Sequence, residues 1–373
     1  MKKLFIIVNV DWFFLSHRQE IAVSAKEAGY DVTILAKDTG KSFVIKELGL
    51  RFIDLPMNSV GMNPFEELTT LNFLYKLYKR EKPDIVHHVG LKAILWGGLA
   101  AKQAKVKGVV NAISGLGVFF AEESKSVLSK AIVAILKYSH NRNNLYTIFQ
   151  NNEDKDLFLK SRIIKDSNIV FIKGSGVDLN VFKYIEEPQD GKIKVVLTAR
   201  MIVDKGIFVL TEAAEQLRAD YQDKVQFLLC GGLDKNPRGI KEEMLNQICD
   251  DKYIKWFGHC SDIKSILEEA HIVTLPSYYK EGLPKSLIEG TAIGRPIVTT
   301  NSIGCRDTVI DCYNGFLIPI KDSKALADKL KILFDDKYLR LEMGRNSRLY
   351  AEKYFSLDKV IKSHLDIYKK LAN

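Results

Sequence analysis

The chain has 373 residues, of which 46% are hydrophobic and 27% charged, and a formal net charge of +9. This length exceeds what one hydrophobic core usually organises, so we expect two domains. The basic excess fits an anionic lipid surface, a phosphorylated substrate or a solvated lysine-rich surface. Scattered lysines without an aromatic–basic platform or a helix-turn-helix pattern argue against nucleic-acid binding.

The cysteines and apolar runs favour a reducing compartment and no membrane span. Five cysteines is an odd number, and no Cys-x-x-Cys pair occurs, which argues against a disulfide framework and a zinc site. The first predicted strand starts too early to leave room for a signal peptide. No apolar run reaches the roughly 18 residues that a spanning helix needs. We expect a cytoplasmic protein, peripheral on the inner face of the cytoplasmic membrane.

Short apolar runs alternate with amphipathic stretches along the first half, which predicts parallel strands wrapped by helices. The predicted strands are residues 4–8, 32–36, 51–55, 85–88, 109–112, 147–149 and 169–172, and the predicted helices include 18–28, 66–81 and 126–138. The segments 73–80 and 128–138 combine apolar residues with Lys or Arg. That pattern is typical of helices at a membrane surface and equally of helices packed on a sheet.

An Asp-x-Asp pattern occurs at Asp154 and Asp156 and suggests a diphosphate bound through Mg²⁺. We favour another interpretation, in which Asn151 caps a helix whose first turn is acidic for the sake of the helix dipole. No metal site is predicted.

A second alternation begins after residues 178–192, whose Glu-Glu-Pro-Gln-Asp-Gly run predicts an interdomain linker. Its predicted strands are 195–198, 227–230, 254–257, 272–275, 297–299 and 315–318. We predict two Rossmann-like doubly wound α/β domains, at 1–177 and 178–355, with a final helix at 356–373 packing back on the first. Ligands of open α/β sheets bind outside the carboxyl ends of the strands, so the site is expected in a deep cleft between the domains.

The densest chemical signal follows the strand that ends at Leu275. A loop containing Glu281 leads into a helix that starts around Pro284, where proline is favoured and free backbone N–H groups can bind an anion. Glu289 lies about one and a half turns inside that helix. A carboxylate there suits the hydroxyl groups of a ribose, although two surface acids would give the same pattern.

Further polar and glycine positions follow other strands of the second half. Arg200 and Lys205 can neutralise a diphosphate leaving group without a metal, although two ordinary loop cations would look the same. Gly231 follows a strand, where the backbone must pass close to a ligand or a neighbouring loop. The loop Gly258–Ile263 can present backbone groups to a base edge, or be a turn capped by Ser261 or Asp262.

These motifs, in this order and spacing, resemble family 4 retaining glycosyltransferases, which have the GT-B fold. Further positions are similar to the branch of that family that adds N-acetylgalactosamine to undecaprenyl-diphosphate-linked sugars: the segment 301–315, Ser16-His17-Arg18, Lys92 and Ile113-Ser114-Gly115-Leu116-Gly117. The resemblance covers essentially the whole chain and is stronger after Lys194.

The resemblance implies a role for each matching residue. Arg200 and Lys205 would bind the donor diphosphate, Glu289 the ribose, and Glu281 hydroxyl groups of the transferred sugar. The remaining donor positions would cap the phosphates or frame the base: Gly282 and Leu283 for the phosphates, and Gly258, His259 and Ile263 for the base. On the acceptor side the implied residues are Asn9, His17, Arg18, Gly115 and Gly117.

The chain departs from the family pattern at two positions. Many relatives carry a histidine just after the fourth strand that binds the donor sugar, whereas here Leu91 stands where we would look for it. His88, at the end of that strand, and His17 are the two candidates for this role. Relatives also follow the second glutamate with alanine; Gly290 is expected to loosen the helix at a cost of about 1 kcal/mol.

We therefore predict a metal-independent enzyme without a cofactor. It would move N-acetylgalactosamine or another HexNAc from a UDP donor, with retention, to a lipid-diphosphate-linked saccharide in bacterial surface polysaccharide assembly. The alternatives are a GDP-fucose or GDP-mannose donor, and a sugar-nucleotide epimerase of the same fold. A nicotinamide dehydrogenase is disfavoured because no Gly-x-Gly-x-x-Gly follows the first strand.

Overall fold

The computed structural model describes residues 1–58, 63–115, 127–234, 237–279 and 281–372. The chain divides into two compact units, one formed by Met1–Ser175 with Asp358–Asn373 and the other by Gly176–Leu357. Each unit carries one parallel sheet flanked by helices, which confirms the predicted doubly wound α/β class. No helix within the described ranges is long and apolar enough to cross a membrane.

The first unit is built on a seven-stranded sheet of order β3-β2-β1-β4-β5-β6-β7. The strands are β1 Lys2–Val10, β2 Tyr30–Lys37, β3 Arg51–Asp54, β4 Ile85–Val89, β5 Gly108–Ala112, β6 Leu145–Phe149 and β7 Ile169–Phe171. Its helices are α1 Asp11–His17, α2 Gln19–Glu27, α3 Ser42–Glu47, α4 Pro64–Glu81, α5 Leu91–Gln103, α6 Val127–His140, α7 Asn152–Lys160 and α14 Leu357–Ala372. The strand order reverses between β1 and β4.

The second unit is built on a six-stranded sheet of order β10-β9-β8-β11-β12-β13. The strands are β8 Ile193–Thr198, β9 Val225–Cys230, β10 Ile254–Trp256, β11 Ile272–Leu275, β12 Ile297–Thr300 and β13 Gly315–Ile318. Its helices are α8 Ile207–Tyr221, α9 Glu242–Ile248, α10 Ile263–Glu268, α11 Lys285–Ile293, α12 Ser323–Asp335 and α13 Lys337–Tyr354. Here the order reverses between β8 and β11.

Strand β1 shows why the apolar runs become central strands. Leu4, Ile6 and Val8 point into one hydrophobic cluster, which α14 covers with Val360, Ile367 and Tyr368. Phe5 and Ile7 point into the opposite cluster, beneath α4 and α5. Since successive side chains alternate between faces, a strand buried on both faces must be apolar throughout.

Two helix ends in the first unit follow the usual rules for helix caps. Gly29 follows α2 with φ +91°, as expected of a glycine just past a helix C-terminus. Asn151 caps α7, accepting a hydrogen bond from the Asp154 backbone N–H at 2.8 Å, so this part of the Asn151–Asp156 interpretation is confirmed.

The prediction of a linker at 178–192 does not hold for residues 182–187, which are packed within the second unit. Glu187 and Arg340 form a buried two-bond ion pair, with N–O distances of 2.7 and 2.8 Å. Arg295 donates to the Ile185 carbonyl at 2.5 Å, and Arg348 to the Phe182 carbonyl at 2.8 Å. Glu187, part of the run that predicted a linker, therefore serves a long-range contact.

Candidate functional site

Two loops meet where the strand order of the second unit reverses, at the carboxyl ends of β8 and β11. The carbonyl oxygen of Asp204, after β8, accepts hydrogen bonds from the backbone N–H groups of Tyr278 and Tyr279 at 2.9 and 3.2 Å. The Ser277 hydroxyl lies 3.0 Å from the same oxygen. The loop that carries Lys205 is thereby fixed to the loop that carries Glu281.

Lys205 and Glu281 form a partly buried ion pair between these loops. The Lys205 Nζ lies 2.5 Å from Glu281 Oε1 and 5.5 Å from the centre of the Tyr279 ring. The Ser277 hydroxyl lies 3.0 Å from the same carboxylate oxygen. Burial strengthens such charge-assisted contacts, so the cation and the carboxylate are held in one arrangement.

Arg200 follows β8 and is the more accessible of the two predicted diphosphate cations, with 49% of its side chain exposed. Its Nη1 donates to Asp234 Oδ2 at 2.7 Å. Asp234 lies after β9, and sequence reasoning missed it because no spacing rule links it to Arg200. The guanidinium keeps further N–H donors that can reach an anion.

The segment between Glu281 and α11 carries Gly282 and Leu283, the residues predicted to cap the phosphates. Pro284 is the N-cap of α11 rather than its first helical residue, so Gly282 and Leu283 lie just outside the helix N-terminus. Gly304, after β12, has φ +82°, and a Cβ there would lie 2.1 Å from the Gly282 carbonyl oxygen. Only glycine permits this approach, which brings a third loop against the candidate phosphate cap.

Glu289 lies on α11 and is 8% exposed. Burial raises the pKa of its carboxyl, and Lys285, with its Nζ 3.6 Å from Oε1, opposes that shift. The next residue corrects a prediction: a Cβ at Gly290 would lie 3.0 Å from three side-chain atoms of Val273. Gly290 therefore lets α11 pack closely on β11, and the expected loosening is not its main effect.

Gly231 follows β9, and the loop Gly258–Ile263, predicted to frame the base, follows β10. The Gly231 N–H donates to the Gly258 carbonyl at 2.7 Å, and a Cβ at Gly231 would lie 1.7 Å from the Ala199 carbonyl oxygen. His259 is exposed, and Ile263 opens α10, which Asp262 caps by accepting from the Ser265 N–H at 3.1 Å. The structure thus brings the predicted donor residues to one edge of one sheet.

His88 belongs to a buried hydrogen-bonded chain in the first unit. Its Nδ1 lies 2.9 Å from Asn111 Oδ1 and its Nε2 3.2 Å from the Tyr78 hydroxyl. Asn111 Nδ2 lies 3.1 Å from His140 Nε2, and His140 Nδ1 lies 2.8 Å from the Leu136 carbonyl oxygen. The Leu136 carbonyl can only accept, so the His140 Nδ1 carries a proton and its Nε2 accepts from the Asn111 side-chain amide. Asn111 Oδ1 then accepts from the His88 Nδ1–H, and the His88 Nε2 accepts from the Tyr78 hydroxyl.

These hydrogen bonds argue against the predicted contact between His88 and the donor sugar. Both ring nitrogens are engaged, the side chain is fully buried, and burial lowers the pKa of His88 to about 4. His87 is equally buried, with its Nδ1 2.7 Å from the Tyr368 hydroxyl. The two histidines hold elements together, and sequence alone could not reveal partners so distant along the chain.

The remaining acceptor-side predictions lie in the first unit. His17, at the end of α1, stacks on Phe13 with a centroid distance of 4.3 Å, and the buried Arg18 donates to the His17 carbonyl at 2.8 Å. Lys92 is paired with Glu67 at 2.7 Å. Gly115 has φ +110°, whereas Gly117 lies outside the described residues.

The arrangement at the second unit's sheet edge suits a bound diphosphate. It offers two cations and backbone N–H groups at a helix N-terminus, which can stabilise a departing anion. The buried carboxylate of Glu289 can instead accept hydrogen bonds from hydroxyl groups. Among the described residues, no group of three or more His, Cys, Asp or Glu side chains is placed to hold a metal ion.

Two family models match the chain. The model described as glycosyl transferases group 1 matches residues 181–350, and the one described as glycosyl transferase 4-like matches residues 3–151. The first covers the whole edge that carries Arg200, Lys205, Glu281 and Glu289.

Two bacterial relatives match nearly the whole chain. A Campylobacter jejuni N,N'-diacetylbacillosaminyl-diphospho-undecaprenol alpha-1,3-N-acetylgalactosaminyltransferase is 29% identical, over 94% of this chain and 99% of its own. An Escherichia coli UDP-Gal:alpha-D-GlcNAc-diphosphoundecaprenol alpha-1,3-galactosyltransferase is 26% identical, over 91% and 89%.

Solved structures share the fold. A glycosyltransferase from Rickettsia africae superposes with a TM-score of 0.77 at 21% identity, over 99% of this chain and 98% of its own. Anabaena HepE in complex with UDP superposes with a TM-score of 0.79 at 16% identity, over 99% and 100%.

Proposed function

We propose that this chain transfers a sugar from a nucleoside-diphosphate-sugar donor to a saccharide on undecaprenyl diphosphate. The chain is a glycosyltransferase of the GT-B fold, and glycosyltransferase family models match both of its halves. The observation that carries the proposal is the ion pair between Lys205 and Glu281, which joins the loop after β8, where Arg200 also lies, to the loop after β11 at the point where the strand order of the second unit reverses. Ligands of open α/β sheets bind at such a point.

The names of the two relatives support the proposed class of acceptor. Both describe transfer to a sugar carried on a diphosphate-linked undecaprenol, and both describe an alpha-1,3 linkage. We propose the same acceptor class here, within surface polysaccharide assembly. A UDP donor is supported by the name of the Escherichia coli relative, and N-acetylgalactosamine as the transferred sugar by that of the Campylobacter jejuni relative.

In the proposed reaction the bond between the sugar C1 and the diphosphate oxygen breaks, and its electron pair leaves with the nucleoside diphosphate. Arg200 and Lys205 stabilise the charge that develops on that leaving group. The acceptor hydroxyl forms the new C1–O bond on the same face of the sugar, so the configuration is retained. A diphosphate oxygen takes the hydroxyl proton, so neither a metal ion nor a cofactor enters the scheme.

The substrate-contact residues are proposed to have the roles that the resemblance to family 4 glycosyltransferases implies. Glu289 accepts hydrogen bonds from the ribose hydroxyls, and Glu281, steadied by Lys205 and Ser277, contacts a hydroxyl group of the transferred sugar. Gly282 and Leu283 cap the phosphates with backbone N–H groups, since the amino end of α11 favours negative charge.

Helix α6 supports a peripheral position on the cytoplasmic membrane surface. Between Val127 and His140 it carries Lys130 and Lys137 but no acidic residue, and the apolar side chains of Leu128 and Tyr138 are about half exposed. A face that combines lysines with exposed apolar groups suits an anionic bilayer surface.

Vesicle sedimentation tests this placement. We expect wild type to bind phosphatidylglycerol vesicles and not phosphatidylcholine vesicles, and the double variant Lys130→Glu, Lys137→Glu to lose that binding. The control carries the same charge change at exposed Lys2 and Lys46 in the same unit. Equal loss in both double variants would mean that net charge, rather than α6, drives the binding.

Donor binding and transfer are tested in the presence of a chelator. UDP and UDP-N-acetylgalactosamine are expected to raise the melting temperature more than GDP, GDP-fucose or NAD. Radiolabelled sugar is expected to pass from the UDP donor to an undecaprenyl-diphosphate-linked acceptor. Stabilisation by GDP alone would overturn the proposed base, and conversion of the donor without any acceptor would indicate an epimerase.

A further inference from the structure

The first unit has its own point of strand-order reversal, between β1 and β4. All pairings in this sheet are parallel, so the carboxyl ends of its strands lie along one edge. Helix α1 begins directly after β1, at Asp11, which places its first turn at this reversal point. Ligands of open α/β sheets bind at such a point. The reversal point of the second unit is assigned to the donor, so the acceptor is the substrate of the proposed reaction that remains for this one.

Asp11 fixes the start of α1 rigidly. Its carboxylate is fully buried and accepts hydrogen bonds from the backbone N–H groups of Trp12, Thr39 and Lys41, at 2.7, 2.7 and 2.8 Å. Phe14, one turn further, is fully buried in the core. These contacts fix the position of α1, and with it the direction of the side chains on its exposed side.

The outer side of α1 is aromatic. Trp12 is 44% exposed, and its ring lies edge-on to Phe13 with a centroid distance of 6.2 Å. Phe13 in turn stacks on His17 at an interplanar angle of 8°. An indole left half exposed at a rigid position of a ligand-binding edge offers a flat apolar surface with an N–H donor at its rim.

We propose that Trp12 is an acceptor-binding residue, whose indole packs against the apolar C–H face of the acceptor's terminal sugar ring. The inference rests on the proposed function, because it takes a lipid-diphosphate-linked saccharide as the acceptor. Phe13 and His17 act as positioning residues that hold the indole edge. The aromatic face favours a ring whose C–H groups lie on one side, and so contributes to acceptor selection and not to donor binding.

Fluorescence of a single-tryptophan protein tests binding directly. The chain has three tryptophans, so Trp96→Phe with Trp256→Phe leaves Trp12 as the only indole. The probes are prenyl diphosphates carrying N-acetylglucosamine or N,N'-diacetylbacillosamine, with the sugar-free prenyl diphosphate as reference. We expect at least one sugar-bearing probe to shift the Trp12 emission and the sugar-free lipid to leave it unchanged. Absence of a shift with both sugars, or an equal shift with the sugar-free lipid, overturns the assignment.

Steady-state kinetics distinguishes a role of Trp12 in acceptor binding from a role in donor binding. Trp12→Ala is expected to raise KM for the acceptor at least tenfold while changing KM for the donor less than twofold, and Trp12→Phe to restore most of the acceptor affinity. Phe171→Ala is the matched control, since Phe171 is a 48% exposed aromatic on the outermost strand β7. Equal changes in both KM values would overturn the acceptor role.

The two proposals fail in distinguishable ways. A wild-type protein that transfers no sugar contradicts the proposed function, whatever Trp12 does. A wild-type protein that transfers sugar, with Trp12→Ala unchanged in its acceptor KM, contradicts only the role of Trp12.

Discussion

Lys205 Nζ lies 2.5 Å from Glu281 Oε1, although the two residues are 76 positions apart in the chain. The pair links the two loops that leave the sheet where its strand order reverses. In the proposed reaction one partner meets the diphosphate and the other meets the sugar, so the ion pair aligns the two halves of the donor on either side of the bond that breaks.

Glu289→Gln is expected to weaken UDP binding at least tenfold, because the amide retains only one of the two acceptor oxygens offered to the ribose. The variant should fold as well as wild type, since burial already raises the pKa of this carboxyl and disfavours its charged form. Calorimetric titration with UDP, alongside urea unfolding, measures both effects. The control is Glu342→Gln, at an exposed position of the same unit; unchanged UDP affinity in Glu289→Gln would remove Glu289 from the donor site.

Arg200→Gln is expected to lower kcat by about 100-fold, the size of effect that follows from losing one charge contact to a developing anion. Its matched control is Arg218→Gln, since Arg218 also donates to an aspartate at 2.7 Å but lies away from the sheet edge. Steady-state turnover of the UDP donor gives the comparison. Similar losses in both variants would point to a general effect of removing an ion pair.

Gly206→Ala is expected to destabilise the second unit strongly. Gly206 has φ +80°, and an added Cβ would lie 2.1 Å from the Pro276 carbonyl oxygen, so both the backbone conformation and the packing oppose a side chain. Gly29→Ala is the control for conformation alone, because Gly29 has φ +91° with no atom within 4 Å and should cost roughly 1–2 kcal/mol. Urea unfolding distinguishes the two variants, and equal losses would contradict the close approach.

The free energy of unfolding is expected to fall as the pH decreases from about 6.5 towards 4. Burial lowers the pKa of His88, His140 and His271 to about 4 and that of His364 to about 3. Above pH 6.5 these groups are neutral in both states, so the folded state is fully favoured. Below pH 6.5 these histidines bind protons in the unfolded chain but not in the folded chain. The free energy of unfolding therefore falls until the pH reaches the pKa values of the folded state.

Urea titrations at pH 7.5, 6.0 and 5.0 measure this dependence. The variant His271→Asn removes one of the four groups and should make the decrease shallower. A free energy of unfolding that stays constant between pH 7 and pH 5 would contradict the neutral, buried state of these histidines.

The strands were predictable because their signal is local. The predicted β11, residues 272–275, matches Ile272–Leu275, and the predicted 4–8 lies inside Lys2–Val10. The ends of β1 were missed because Lys2 and Val10 pair with β2 through backbone groups, which hydropathy does not register. Apolar runs report burial on both faces and say nothing about where pairing stops.

The failures share a different cause, since each depends on contacts between distant residues. Glu187 looked like part of a solvated linker until its pairing with Arg340, 153 positions away, was known. Gly290 looked like a weakness of α11 because its neighbour Val273 lies on another element. Sequence patterns located the candidate donor residues on their elements, but the partners Asp234 and Ser277 become visible only when the loops are brought together.

Helix α14 has a consequence for how this enzyme is made. Apart from Leu357 it belongs to the first unit, where Val360, Ile367 and Tyr368 complete the hydrophobic cluster behind β1. The ribosome synthesises it only after the entire second unit. During translation α1 and α2 can already cover part of this face with Phe14, Ile21 and Ala22. The side chains that α14 packs against stay exposed until the second unit has been synthesised. Nascent chains stalled before residue 357 should therefore expose these apolar side chains to chaperones.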